Sequence, residues 1–523
     1  MAPSTWTPLR IRLFRALWIA TLVSNIGTWM QTVGAQWLLV NRAHAAILVS
    51  LVQTAALLPA VLLSFVGGVL ADTFDRRRLL VVVQAGMALT GAGLTALTFA
   101  HQMPPALLLT FTFVLGAGSA LTAPAYQSLV PEMVSRADVP AASALSSINV
   151  NLARAIGPAI AGLLIAQLGV GAVFGLNSAT FLMFALTVVA FRNHLGDGPD
   201  NPERFLSAFR AGGRYVQHAP VVRRILLRAA VFLIPGSAAW ALLALIATRR
   251  LNLGPSGYGL LLGGLGLGAV GGALVLPWTR ARLTRNRLVV GTTVVYAAAL
   301  VAVGMLRNTA AVLVVLLPAG AAWMAFLSTI NASLQLFLPR WVRARGLSLY
   351  QAILFGAQAV GAAIWGLVAG AVGLEPTFLA AGAVMFVGAA SVRIWPLLDT
   401  SDMNRDIVSH WPEPLLAIQP DLEGGPVAVM VSYTVAPENE QTFVQAMDLV
   451  RRSRMRTGAI RWQLYRDAGH PHFFVELFVV STWEEHLRQH SERLTGTDQR
   501  YQEAAEALSD APPIVTHFIP ASP

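Results

Sequence analysis

Arg154 is the one ionisable side chain that falls clearly inside an apolar run, in Asn151-Leu-Ala-Arg154-Ala-Ile-Gly157-Pro158-Ala-Ile-Ala-Gly162. A charge at membrane depth is costly, rare and usually faces a cavity. Gly157-Pro158 follows within a turn, and proline removes a backbone donor and loosens a helix there. Arg154 could meet an anionic or catechol-like substrate, or it could hold helix packing through backbone carbonyls. At the edge of another apolar run, Asp72 precedes Arg76 and Arg77. Its carboxylate can pair with either, with Arg343 or Arg345 of a matching segment, or favour a nearby helix N-terminus. Polar groups on otherwise apolar runs are Asn25, Gln31, Gln36, Gln53, Tyr126, Asn149, Asn151, Asn331, Gln335, Gln351 and Gln358. They could line a substrate cavity, and each could instead make an interhelical hydrogen bond. Trp29, Trp37, Trp240, Trp323 and Trp365 could stack on an aromatic substrate or simply pack. His486 and His490, spaced i, i+4, could share a metal. With no third ligand evident, solvated helix positions are the expectation, and no metal site, catalytic group or cofactor is predicted. The chain has no Cys, which excludes disulfides and thiolate sites.

These groups need elements that hold them in a membrane. Hydrophobic residues make up 55% of the 523 residues and charged residues 12%, about half the ~25% of a soluble protein. Runs of about 20 apolar residues mark spanning helices. Twelve are expected, near 15–40, 46–71, 79–100, 104–125, 141–168, 171–191, 229–248, 255–278, 287–306, 310–337, 346–373 and 376–396. The first run is too long for a cleaved signal peptide and lacks an evident cleavage site. With the N-terminus in the cytoplasm, that side carries 22 Arg and the outer side only Arg42, Arg249, Arg250 and Arg307. This asymmetry predicts cytoplasmic termini. The net charge of +11 joins a basic part, 27 Arg against 9 acids over residues 1–400, to an acidic tail. It therefore argues for membrane topology and not for nucleic acid.

The two halves look alike. Gly67-Gly68-Val-Leu and Gly271-Gly272-Ala-Leu precede similar basic-apolar segments, and Leu129-Val-Pro131 matches Phe337-Leu-Pro339. A nearly constant offset predicts a duplicated six-helix unit, with halves about 10–192 and 221–400. Between them, 193–220 reads as an amphipathic helix on the inner membrane face.

Gly68-Val-Leu-Ala-Asp72-Thr-Phe-Asp75-Arg76-Arg77-Arg78 resembles the loop motif of the major facilitator superfamily, with Asp75 in place of the usual Gly. The segment from Arg154 through Gly157-Pro158 to Gly162 resembles the motif associated with its exporters. Together with Ser24–Gln31, Ala123–Val134 and Leu338–Gln351, the likeness is to the branch of bacterial siderophore exporters and related efflux proteins, over about residues 10–400. It implies the twelve-helix major facilitator fold, a bacterial inner membrane location, alternating access, a small-molecule substrate and a proton as coupling ion. No Asp or Glu lies deep in any span to carry that proton. On this likeness, Asp72 and its arginines would latch the cytoplasmic gate in the outward-open state.

The tail differs in kind. Residues 401–424 read as a proline-bearing linker. Over 425–523, Val427, Val429, Val431 and Tyr433 alternate, as do Ile460, Trp462 and Leu464, then Phe473, Val475, Leu477 and Val479, and 514–519 suits a last strand. Phe443, Met447 and Val450 share a helical face, and Thr482-x-x-Glu485 reads as a capping box. The order β-α-β-β-α-(α)-β is the ferredoxin-like plan. It resembles the small dimeric antibiotic-biosynthesis monooxygenase domains. A cytoplasmic α+β domain that dimerises or regulates is expected. A tethered monooxygenase, or a sensor acting through the tail, is the alternative to export.

Overall fold

Where water is absent, an apolar run must satisfy its own backbone groups, and the α-helix does so within one segment. The computed structural model describes residues 6–73, 75–191, 215, 217–399, 403–408, 418 and 420–521, without the side chains of 64–73, 340 and 344. The chain forms two compact units. One comprises Met1–Pro202, Leu226–Asn331 and Ser348–Pro396, and the other Glu203–Ile225, Ala332–Leu347 and Leu397–Pro523. The amphipathic helix expected over 193–220 lies, up to residue 214, outside the described residues, as do most of the 401–424 linker and the side chains of Gly68 and Asp72.

The first unit is helical. Its first half holds α1 (Arg12–Leu39), α2 (Ala45–Thr73), α3 (Arg76–Phe99), α4 (Pro105–Met133), α5 (Val139–Leu168) and α6 (Val170–Ala190). The second half follows with α7 (Pro220–Leu245), α8 (Pro255–Arg282), α9 (Arg285–Met305), α10 (Thr309–Phe337), α11 (Arg340–Val372) and α12 (Leu374–Ala390). Parts of α7, α10 and α11 belong to the second unit. Among the described residues, 11 helices are long and apolar enough to cross a membrane. Helix α1 is outside that set because Ser24, Asn25, Thr28, Gln31, Thr32 and Gln36 dilute its apolar content. Gly169 (φ 80°) and Gly373 (φ 87°) take left-handed backbone at the α5–α6 and α11–α12 turns, where a side chain would be strained. Asp75 stands in the loop motif's glycine position because it caps α3, accepting the Arg77 backbone N–H at 2.9 Å.

Within the second unit, the tail forms β1 (Val427–Thr434), α13 (Glu440–Thr457), β2 (Ala459–Arg466), β3 (Phe473–Val480), α14 (Trp483–Arg488), α15 (Gly496–Glu506) and β4 (Ile514–Phe518). The sheet order is β2-β3-β1-β4, and all three pairings are antiparallel. One face of β1 buries Val427, Val429, Val431 and Tyr433 against Phe443, Met447 and Val450 of α13. On β3 the buried face is Phe474, Glu476, Phe478 and Val480, one residue out of step with the row singled out in the sequence. The Thr482 hydroxyl caps α14 by accepting the Glu485 N–H at 3.2 Å. The Glu485 carboxylate pairs with Arg493 at 2.5 Å, and the reciprocal capping box is instead Thr495 with Asp498 on α15. Arg493 also lies 4.7 Å from the Trp341 ring, and Arg405 lies 5.1 Å from Phe337.

Candidate functional site

Glycine decides how closely the two halves approach. A Cβ on Gly162 of α5 would come within 2.6 Å of the Pro255 carbonyl oxygen on α8. One on Gly259 of α8 would come within 2.6 Å of the Pro158 carbonyl oxygen. The two backbones therefore touch where a side chain would hold them apart. Gly157 faces elsewhere, with a built Cβ 2.7 Å from Trp29 on α1. The exporter-type motif thus serves two contacts: Gly157 seats α5 on α1, and Gly162 seats it on the opposite half.

Other contacts between halves lie toward the same helix ends, where α1 finishes and α2 begins. Gln36 donates to the Trp240 carbonyl oxygen at 3.2 Å and accepts from the Tyr258 hydroxyl. Trp37 stacks on Tyr258 at 6.4 Å. Thr54 of α2 donates to the Ala359 carbonyl oxygen of α11 at 2.9 Å.

Arg154 lies one turn from Gly157 along α5. Its guanidinium carbon stands 5.5 Å from the Trp29 ring centroid, a cation–π arrangement. Its Nε is buried without a hydrogen-bond partner. Trp29 is 5.8 Å from Trp240 on α7, and Trp240 is 5.7 Å from Trp323 on α10. An aromatic path therefore crosses from one half to the other with a cation at its start. This arrangement can bind an anionic or π-rich guest: the guanidinium supplies charge and donors, and the indoles supply flat apolar faces.

The remaining predicted residues separate by partner. Asn25 donates to Asn149 at 2.9 Å, and Asn149 donates to the Trp18 carbonyl oxygen at 2.8 Å. Gln31 accepts from the buried Asn177 of α6. These are interhelical bonds within the first half. Asn151 and Gln358 bond back to Ser147 and Leu354 on their own helices. Gln53 is buried, and Tyr126 packs edge-on to Phe184 at 6.2 Å. Asn331 is half-buried and Gln335 exposed. Arg76 pairs with Glu132 at 2.5 Å. Arg343 donates to the Leu338 carbonyl oxygen at 3.3 Å, and Arg345 is half-buried.

Sequence reasoning missed Tyr258 and Arg228. Arg228 is buried on α7 and donates to the carbonyl oxygens of Gly388 at 2.9 Å and Trp395, and to the Ser391 hydroxyl at 2.8 Å. Its place near the start of an apolar run made it look like a topology-setting loop arginine.

The long apolar helices, with α5 seated on α8 at one set of ends, form a fold of the major facilitator type. A bacterial homolog of the human lysosomal transporter Spinster, in an inward-facing and occupied conformation, shares the fold. The TM-score is 0.61 at 14% identity, covering 74% of this chain and 97% of that one. The chain belongs to the transmembrane secretion effector family, whose model matches residues 3–522. It is 26% identical over 182 residues to the staphyloferrin A transporter of Staphylococcus aureus, covering 35% of this chain and 46% of that protein. It is 26% identical over 400 residues to the multidrug efflux pump Tap of Mycobacterium tuberculosis, covering 73% of this chain and 93% of the pump. The match thus spans about half the length of the first relative and nearly all of the second.

Proposed function

We propose that this protein exports small molecules, siderophore-like or drug-like, by proton-coupled alternating access in a bacterial inner membrane. The observation that carries the reading is Arg154, a partly orphaned cation at the start of an aromatic path that joins the two halves. The relatives' names, a staphyloferrin A transporter and a multidrug efflux pump, agree with an anionic or aromatic cargo. Helix α1 is the twelfth span. At 28 residues it is long enough, and Gln31 and Gln36 find partners inside the unit. The arginine asymmetry orients the termini to the cytoplasm. The halves then close at the outer ends, and the observed state opens inward. Asp72, Arg76, Arg77, Arg343 and Arg345 latch the inner ends in the opposite state. The domain over 425–523 is ferredoxin-like by its strand order. It dimerises through the face of its sheet that carries Val475 and Leu477, which is only half-buried.

The test compares small molecules inside and outside cells with the protein, without it, and with Asp72→Asn. Export requires a compound retained when the protein is absent and retained again with Asp72→Asn. Equal distribution in all three strains, iron limitation included, would remove the export reading.

A further inference from the structure

We propose that His486, His490 and His517 of the tail bind one late first-row transition-metal dication, of the class of Zn2+ or Co2+. This goes beyond transport and does not depend on it. His486 and His490 lie i, i+4 along α14 and the π-helical turn Gln489–Arg493 that continues it. Such turns recur at functional sites. His517 comes from edge strand β4, opposite Val429 of β1. Since Val429 is buried, His517 shares the helix-covered face of the sheet. The pair was visible in the sequence. The third imidazole, on the far side of a helix, was not.

The three rings converge. Ring centroids are 4.4 Å apart for His486 and His490, and 4.9 Å for His486 and His517. One ligand nitrogen from each lies within 4.8 Å of the others. Nitrogens at about 2.0–2.1 Å from a tetrahedral ion would stand about 3.4 Å apart, so small side-chain rotations bring the set to bonding distance. Neither solvent nor protein satisfies the His486 ring as it stands. His486 is 0% exposed. Both its ring nitrogens are buried without a hydrogen-bond partner, as is Nε2 of His517. Buried polar atoms in native proteins nearly always have a partner.

The chemistry suits a metal. Burial, then the neighbouring imidazoles and Arg454, push His486 down to about 2. Burial, then Arg454 and His517, push His490 down to about 3. Burial lowers His517 as well. Burial favours the neutral imidazole, the form that ligates metal. The nearby Arg454 is ion-paired with Glu476 at 3.0 Å, which offsets part of its charge. An all-imidazole donor set favours zinc, cobalt, nickel or copper over magnesium or calcium. His490 and His517 are half-buried, so a fourth position can open to solvent, as in three-ligand zinc sites.

The test titrates Co2+ into the full-length, detergent-purified, EDTA-treated protein and follows visible d–d absorption, with Zn2+ as competitor. The expected result is one Co2+ per chain, displaced by Zn2+. His517→Ala, on an edge strand, should weaken binding more than about tenfold with an unchanged circular dichroism spectrum. His470→Ala, at an exposed turn, should bind as the unaltered chain does. The proposal is overturned if the unaltered chain takes up no Co2+, if His517→Ala binds equally well, or if His470→Ala abolishes binding.

Discussion

Arg454 in the tail is buried and Arg154 in the helical unit is half-buried with its Nε enclosed, and the chain treats them in opposite ways. Arg454 is 1% exposed and meets Glu476 through Nε at 3.0 Å. Glu476 in turn accepts from Tyr433 at 3.2 Å and Trp462 at 2.8 Å, and the Phe478 ring lies 4.7 Å from the guanidinium. These partners meet its charge within the core. Arg154 has an aromatic face on one side and an orphaned Nε. A buried charge whose partners are complete holds a fold in one state. A half-buried charge left partly open remains able to accept a guest. Arg228 shows that the helical unit can also saturate an arginine, here with carbonyl and hydroxyl oxygens, so the open state of Arg154 is specific to its position.

The comparison breaks most visibly at Glu476. Glu476→Ala leaves Arg454 buried and uncompensated, which should cost the tail about 3–5 kcal/mol. Thermal unfolding of the purified chain reads this as loss of the tail's transition. A loss under about 1 kcal/mol would mean that the pair is not what holds this core.

Arg154→Ala should do the reverse. Losing charged hydrogen bonds to an anionic cargo, about 1.5–3 kcal/mol, lowers efflux roughly 10- to 100-fold. Thermal stability should move by less than about 0.5 kcal/mol. If stability falls as it does for Glu476→Ala while transport per folded molecule is normal, Arg154 is a packing residue and the contrast collapses.

Gly259→Val probes the junction beside Arg154. Its Cβ meets the Pro158 carbonyl oxygen, so it should penalise the state with these ends closed by about 1–3 kcal/mol. Labelling of engineered cysteines on the two faces of the membrane would read the shift as greater access from the α1–α2 end. Unchanged labelling would show that these glycines do not set the closed state.

What could be read from the chain follows the same division between satisfied and open groups. Helix runs were legible because a spanning helix must be apolar over its whole length. The weakest of them, α1, is the one that carries polar residues to partners on α5, α6, α7 and α8. In the tail, Val427 to Tyr433 alternate cleanly and β1 buries that row. On β3 the row with no charge, Phe473 to Val479, looked like the core face. The core took the row with Glu476 because Arg454 of α13 waits to neutralise it. A one-residue shift exchanges the two faces of a strand, and a buried ion pair disguises which face is inside. Arg154 stood out because it is the one ionisable side chain clearly inside an apolar run. Its aromatic neighbours come from helices far apart in the chain. The same distance hid His517 from His486.

The smallest effect completes the comparison within a single helix. Arg451 and Arg452 flank Arg454's turn of α13 and pair with Asp448 at 2.7 and 2.6 Å. The Arg451 hydrogen bond foremost, with the Arg452 charge, holds the Asp448 carboxyl below its ordinary range. A carboxyl depressed in the folded state adds stability above its unfolded pKa and loses it as the pH falls through the folded one. The Asp448 side chain is 39% exposed, however, and solvent screens such pairs to about 0–1 kcal/mol. Asp448→Asn should therefore change stability at pH 7 by about 0.5 kcal/mol or less, and the difference should vanish under acid. A loss as large as that of Glu476→Ala would show that exposure does not separate the arginines of this helix. The account of Arg154 and Arg454 by their surroundings would then need another basis.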